Sequence, residues 1–250
     1  LPIDDLVLQP GEERGGRDDQ VDLAAQQVLG SGVGRPGERR RHEQLADGAK
    51  ERAREHERQA SFDHGWWEYT YEDAVRIGAL MGIEIGTRTV QGFRGKQRDE
   101  IDISFSGFCS QGDGACFEGR YHYKPDAVAS VRSETTDEEL LRIATELTVA
   151  QVACKLTYGS FVKARVTTNG RYSHSGTMSL DVEFEDENAV EPIFGHCYDD
   201  IDKDLRPLIR DFADWIYHQL EAESDYLSSD EVIDERLSDG VLFTEDGSRI

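Results

Sequence analysis

Residues 161–185 read FVKARVTTNGRYSHSGTMSLDVEFE. Apolar and polar side chains alternate from Phe161 to Thr168, Asn169 and Gly170 follow, and the chain returns toward Glu185. Asn-Gly flanked by alternation is the strongest short-range signal for a β-hairpin closed by a type I′ turn. The stretch predicts a strand over 161–168, a turn at 169–170 and a returning strand over 171–185. An antiparallel pair of this kind buries one face, so the fold depends on what its neighbours bring to that face.

Upstream, Thr136-Asp-Glu-Glu139 reads as a capping box. It leads into Leu140, Leu141, Ile143, Ala144 and Leu147, a helix expected to reach about Lys155. Farther upstream, Ile101–Phe105 and Cys116–Tyr123 alternate as strands, and 86–100 reads as strand and turn around Gly92 and Gly95. Ile83–Ile85 is a short strand, and Glu72–Met81 an amphipathic helix that Gly82 ends. Downstream, Leu205, Leu208, Ile209, Phe212, Trp215, Ile216 and Leu220 recur at three and four within a long helix over 199–226. Pro207 must lie early in that helix or kink it. A short helix from Ser229 and a Val241–Ile250 hairpin around Asp246 and Gly247 close the chain. The expected fold is α+β: an antiparallel sheet of hairpins packed by about three helices, with a long amphipathic C-terminal helix.

All 22 Phe, Tyr and Trp residues lie from Phe62 onward, with all four Cys and both Met. Residues 1–61 lack the apolar area that offsets backbone entropy, roughly 1–2 kcal/mol per residue. They are expected to be a disordered or loosely helical extension, helical around 43–59, or to reflect a start set too far upstream. Residues 62–250 are expected to form one acidic α+β domain. No apolar run reaches the length of a membrane span, and Cys109, Cys116, Cys154 and Cys197 do not resemble a disulfide framework.

The formal net charge is −23. Residues 1–60 hold 13 acids against 10 bases, and residues 181–250 hold 22 against 5. Such a surface repels nucleic acid and anionic membranes and attracts basic partners with salt-sensitive association; it also serves solubility alone. Asp202, Asp204, Asp211, Asp214 and Glu221 fall mainly off the apolar face of the long helix and are the candidate partner-binding residues. No cofactor and no metal are expected.

The stretch SGFCSQGDGACFEG, residues 106–119, carries the candidate chemistry. A phosphate cradle lacks its lysine, and Asp113 would repel phosphate. Cys109 and Cys116 are spaced too widely for a zinc knuckle, although His122, His174 and the pair His196–Cys197 could approach. A cysteine nucleophile would need a base such as His174. The plainer reading is a tight connection between two strands, with glycines supplying positive φ and Gln111 and Asp113 bonding backbone amides. The enzymatic alternative rests on Asp113, His122 and His174. Trp66-Trp67 reads either as a stacking platform or as packing where a helix begins.

Trp66-Trp67-Glu68, Tyr71-Glu-Asp-Ala74, Phe105-Ser-Gly107-Phe108, Ser110-Gln111-Gly112-Asp113-Gly114-Ala115, Phe117-Glu-Gly119, Gly170–His174 and Asp211–Trp215 together resemble a group of phage and prophage proteins. These are commonly labelled antitoxin of a toxin–antitoxin stability system. The resemblance covers about 62–250 and implies a protein of phage–host conflict in the bacterial cytoplasm. The expected function is a non-catalytic acidic protein that neutralises a basic toxin or host-defence protein. A DNA mimic directed at a nucleic-acid-binding defence complex and a small enzyme with its site at 106–119 are the alternatives.

Overall fold

The computed structural model describes residues 39–60, 65–92, 95–186 and 197–250. Among these, residues 39–53 with 238–250 form one compact unit and the rest, within 54–237, another. In the smaller unit, Leu45, Ala49 and Phe243 are buried and the His42 ring meets Phe243 edge-on at 6.0 Å. Arg52 Nε donates to the Asp246 carbonyl at 2.8 Å. The expected terminal hairpin is a single bridge, Phe243 to Arg249, around the turn at Asp246 and Gly247. Helix α1, Asp47–Gln59, replaces the loose helicity expected over 43–59.

The larger unit follows α+β logic. Helix α2 (Glu68–Leu80) leads into β1 (Ile83–Ile85), β2 (Thr87–Gln91), β3 (Gln97–Ile101), β4 (Ile103–Ser106), β5 (Gly114–Phe117) and β6 (Gly119–Tyr121). Helices α3 (Ala127–Glu134) and α4 (Glu138–Tyr158) precede β7 (Val162–Thr168) and β8 (Met178–Phe184), and α5 (Cys197–Leu227) and α6 (Asp230–Ser238) end it. Every ladder is antiparallel: a four-stranded sheet in the order β1-β6-β7-β8, a β2-β3 pair and a β4-β5 pair.

The three ladders β1-β6, β2-β3 and β4-β5 meet at a junction of Gly86, Asp102 and Glu118. Their backbones close a ring: Gly86 N donates to Glu118 O at 2.8 Å, Glu118 N to Asp102 O at 3.0 Å, and Asp102 N to Gly86 O at 2.9 Å. The strand expected over 101–105 therefore breaks at Asp102, and the one over 116–123 breaks at Glu118. At each corner a residue leaves its strand ladder, and the ring satisfies the backbone groups that leaving would orphan.

The 161–185 hairpin forms with a later return than the sequence predicts. Thr168 pairs with Met178, so residues 169–177 make a loop and the returning strand starts at Met178 rather than Arg171. Distant groups hold that loop open. Arg210 Nη2 of α5 donates to the carbonyls of Gly176 and Met178 at 3.0 and 2.7 Å, and the His174 Cβ lies against Gly114.

Val162, Ala164 and Val166 turn one face of β7 inward, while Lys163 and Arg165 face solvent. Helix α5 packs on α4, β5 and β8 through Leu205, Ile209, Phe212, Ile216 and Leu220, each fully buried. Pro207 is the eleventh residue of α5, inside the helix rather than in its first turn, where it removes one backbone hydrogen bond. The N-cap of α4 is Asp137, not Thr136: its carboxylate accepts from Glu139 N at 2.9 Å and Leu140 N at 3.2 Å. Its other oxygen accepts from Trp215 Nε1 at 2.9 Å, tying the start of α4 to α5.

Candidate functional site: the outward face of α5

The apolar stripe of α5 fixes which of its acids face outward. Asp214, Glu221 and Asp225, spaced seven and four apart, share one side of the helix, opposite the buried Ile209, Ile216 and Leu220. None of the three has a hydrogen bond or ion pair among the described residues, and neither does the exposed Asp204. Asp202 and Asp211 differ. Arg206 Nε donates to Asp202 at 3.0 Å, and Arg142 of α4 reaches Asp211 at 2.5 Å while also holding Glu139 and Glu146. Of the five acids named from the sequence, Asp204, Asp214 and Glu221 remain open to a partner, and Asp202 and Asp211 are bound to arginines of the chain. At the helix start, Asp200 pairs with Lys203 at 3.0 Å and raises its pKa, mainly through that hydrogen bond.

The 106–119 stretch is the connection between β4 and β5, with Ser106 opposite Gly114. Asp113 Oδ2 accepts from Cys109 N at 2.9 Å and Ser110 N at 2.6 Å, and Asp113 N donates to Ser110 O at 3.1 Å. Gly112 takes φ +99° in this turn, and Gln111 is exposed. Gly107 O accepts from Tyr217 of α5 at 3.0 Å. A Cβ on Gly114 would meet the His174 Cβ at 2.6 Å, and one on Gly119 would strike the Glu84 carbonyl. Gly107, Gly112, Asp113, Gly114 and Gly119 thus shape a turn and two close backbone approaches, whereas the exposed Gln111 makes no side-chain hydrogen bond among the described residues and does not bond backbone amides as expected.

Asp113, His122 and His174 make no hydrogen bond or ion pair with one another among the described residues. Asp113 serves its own loop and His174 packs on Gly114. His122 lies on the outer side of the four-stranded sheet, its Nδ1 3.8 Å from Glu84. Cys116 is buried, and burial pushes its thiol up, away from the thiolate a nucleophile needs. Among the described residues no His, Cys, Asp and Glu group could hold a metal ion; His196 lies outside them.

Two features went unread in the sequence: the pairing of Arg120 with Arg165, and Phe105 as the partner in the helix-entry packing that the sequence offered for Trp66-Trp67. Arg120 and Arg165 are register partners at the centre of the open sheet face, with Glu84 and Asp181 outside them. Trp66 and Trp67 meet edge-on at 5.9 Å and both pack on Phe105, so they serve packing where α2 begins, and Trp67 also lines a cavity. Alternation in β7 marks the first feature. Nothing local marks the second, because Phe105 is remote in sequence.

These features define an antiparallel α+β domain that offers an acidic helix face and a polar sheet face. Residues 66–230 match the family DUF8835, a domain of unknown function, and the chain belongs to that family. No curated protein and no solved structure matches it. No helix of the described residues is long and apolar enough to cross a membrane.

Proposed function

We propose that the chain is a non-catalytic, acidic binding protein that captures a basic protein partner on the outward face of α5. An antitoxin-like setting in the bacterial cytoplasm fits this reading, with a phage-borne protein neutralising a toxin or a host-defence protein. The observation that carries it is the row Asp214, Glu221 and Asp225, left without internal partners while neighbouring acids are paired. Unpaired carboxylates on a rigid helix keep their charge for steering and complementing a basic surface.

DNA mimicry is less well supported. Between Asp199 and Asp225 the helix carries nine acids against three bases, roughly one net charge per 6–7 Å at a rise of about 1.5 Å per residue. Duplex DNA presents one per about 1.7 Å.

Capture from host lysate on the immobilised full-length chain tests the proposal, beside the variant Asp214→Asn/Glu221→Gln/Asp225→Asn. A basic protein should bind at low salt, elute at high salt and be lost with the triple variant. A partner retained equally by the variant would refute the α5 face as the binding surface.

A further inference from the structure

A cavity of about 390 Å³ opens between the first turns of α2 and the β2-β3 pair. It uses none of the α5 acids, so it stands whether or not that face binds a protein. Its volume is that of a small-ligand site. Trp67 and Tyr71 of α2 and Phe105 of β4 line it, with the Phe105 ring 5.9 Å from Trp67 and 6.5 Å from Tyr71, both edge-to-face.

The charged groups around it divide sharply. Both guanidiniums are already engaged: Arg88 donates to Ser104 Oγ at 3.0 Å and to Asp102 at 3.4 Å, and Arg98 pairs with Glu100. Asp99 accepts from the Thr89 hydroxyl at 2.7 Å. Glu68 and Glu72, one helical turn apart on α2, line the same cavity and have no hydrogen bond or ion pair among the described residues.

Tyr71 supplies a further group. The residue is 8% exposed, it lines the cavity, and its hydroxyl makes no hydrogen bond among the described residues. That oxygen is not among the buried atoms lacking a partner, so it stays accessible to a donor. Burial raises the phenol's pKa, so at neutral pH it is an uncharged oxygen able to accept an N–H.

We propose that this cavity binds a primary alkylammonium group, held over Trp67, Tyr71 and Phe105 and neutralised by Glu68 and Glu72. Aromatic faces attract a cation, two bare carboxylates balance its charge, and the Tyr71 oxygen takes one of its N–H donors. An anion would face those carboxylates with both arginines already occupied. A quaternary ammonium would leave the hydroxyl unpaired. The cation comes either from a free amine or from a lysine side chain of a polypeptide.

Tryptophan fluorescence and calorimetric titration of the full-length chain test this, using n-butylamine, Nα-acetyl-lysine methylamide, tetramethylammonium and butyrate as probes. Saturable binding of n-butylammonium is expected, at least about tenfold tighter than tetramethylammonium. It should weaken at least about tenfold in Glu72→Gln, an exposed position that leaves the fold intact, and also in Tyr71→Phe. Acetyl-lysine methylamide binding as tightly as n-butylammonium points to a polypeptide lysine; much weaker binding points to a free amine. Saturation by neither amine, preference for butyrate, or affinities unchanged in both variants would overturn the proposal.

Discussion

Gly114 leaves no room for a side chain. A Cβ there would stand 2.6 Å from the His174 Cβ and 3.0 Å from its Cα, so backbone on one side must move. Gly114→Ala should cost about 1–3 kcal/mol, as overpacking does, read as a lower urea midpoint at an unchanged slope. Cysteine environments permit a second check in a Cys197→Ser background. A thiol reagent should label exposed Cys109 in the native protein, whereas buried Cys116 and Cys154 should react only at the rate of unfolding. Equal labelling of all three would contradict the packing around β5 and α4. At this scale the sequence marked the glycines of 106–119 for positive φ, which Gly112 adopts and Gly107, Gly114 and Gly119 do not. It could not show that Gly114 meets His174, because that contact forms across the fold.

Among the elements, the link from α4 to β7 carries an exposed consequence in a buried residue. Gln151 is fully buried, and its amide both donates to Val162 O at 2.7 Å and accepts from Val162 N at 2.9 Å. Gln151→Leu would leave two buried backbone groups unpaired, a loss of about 2–4 kcal/mol visible in chemical denaturation. The Arg142–Glu139 pair within α4 gives a pH signature. A hydrogen bond from Arg142 is the main cause that holds the Glu139 carboxyl below its ordinary range. A depressed folded-state pKa contributes stability that is full above the unfolded value, about 4.3, and lost as pH falls through the folded one. Arg142→Met should therefore melt below the wild type at neutral pH, and the gap should narrow as pH falls below the unfolded value and through the lower folded one. A gap that persists at acid pH would point away from the ion pair. Helices α2, α4 and α5 were legible from periodicity, as was the antiparallel pairing. The corners at Gly86, Asp102 and Glu118 were not, since Asp102 continues the alternation of Ile101–Phe105 and only the three-way ring of hydrogen bonds sets it apart.

For the whole molecule, charge is the dominant property. At −23 the chain repels itself, and added salt screens that repulsion over about 8–10 Å. Thermal melting should rise by a few degrees between low and physiological ionic strength, roughly 1 kcal/mol for a chain of this size; a falling midpoint would mean that the internal ion pairs outweigh the repulsion. The sequence by itself determined the charge, its concentration after residue 181, the apolar face of α5 and the antiparallel character of the sheet. All of these depend on composition or on spacing within one element. Tertiary structure alone decided that Asp211 belongs to Arg142 while Asp214, Glu221 and Asp225 stay open, that β8 begins at Met178, and that Trp67, Tyr71 and Phe105 enclose a cavity with Glu68 and Glu72. Those outcomes require groups tens of residues apart to meet, and local periodicity holds no information about which distant partner arrives.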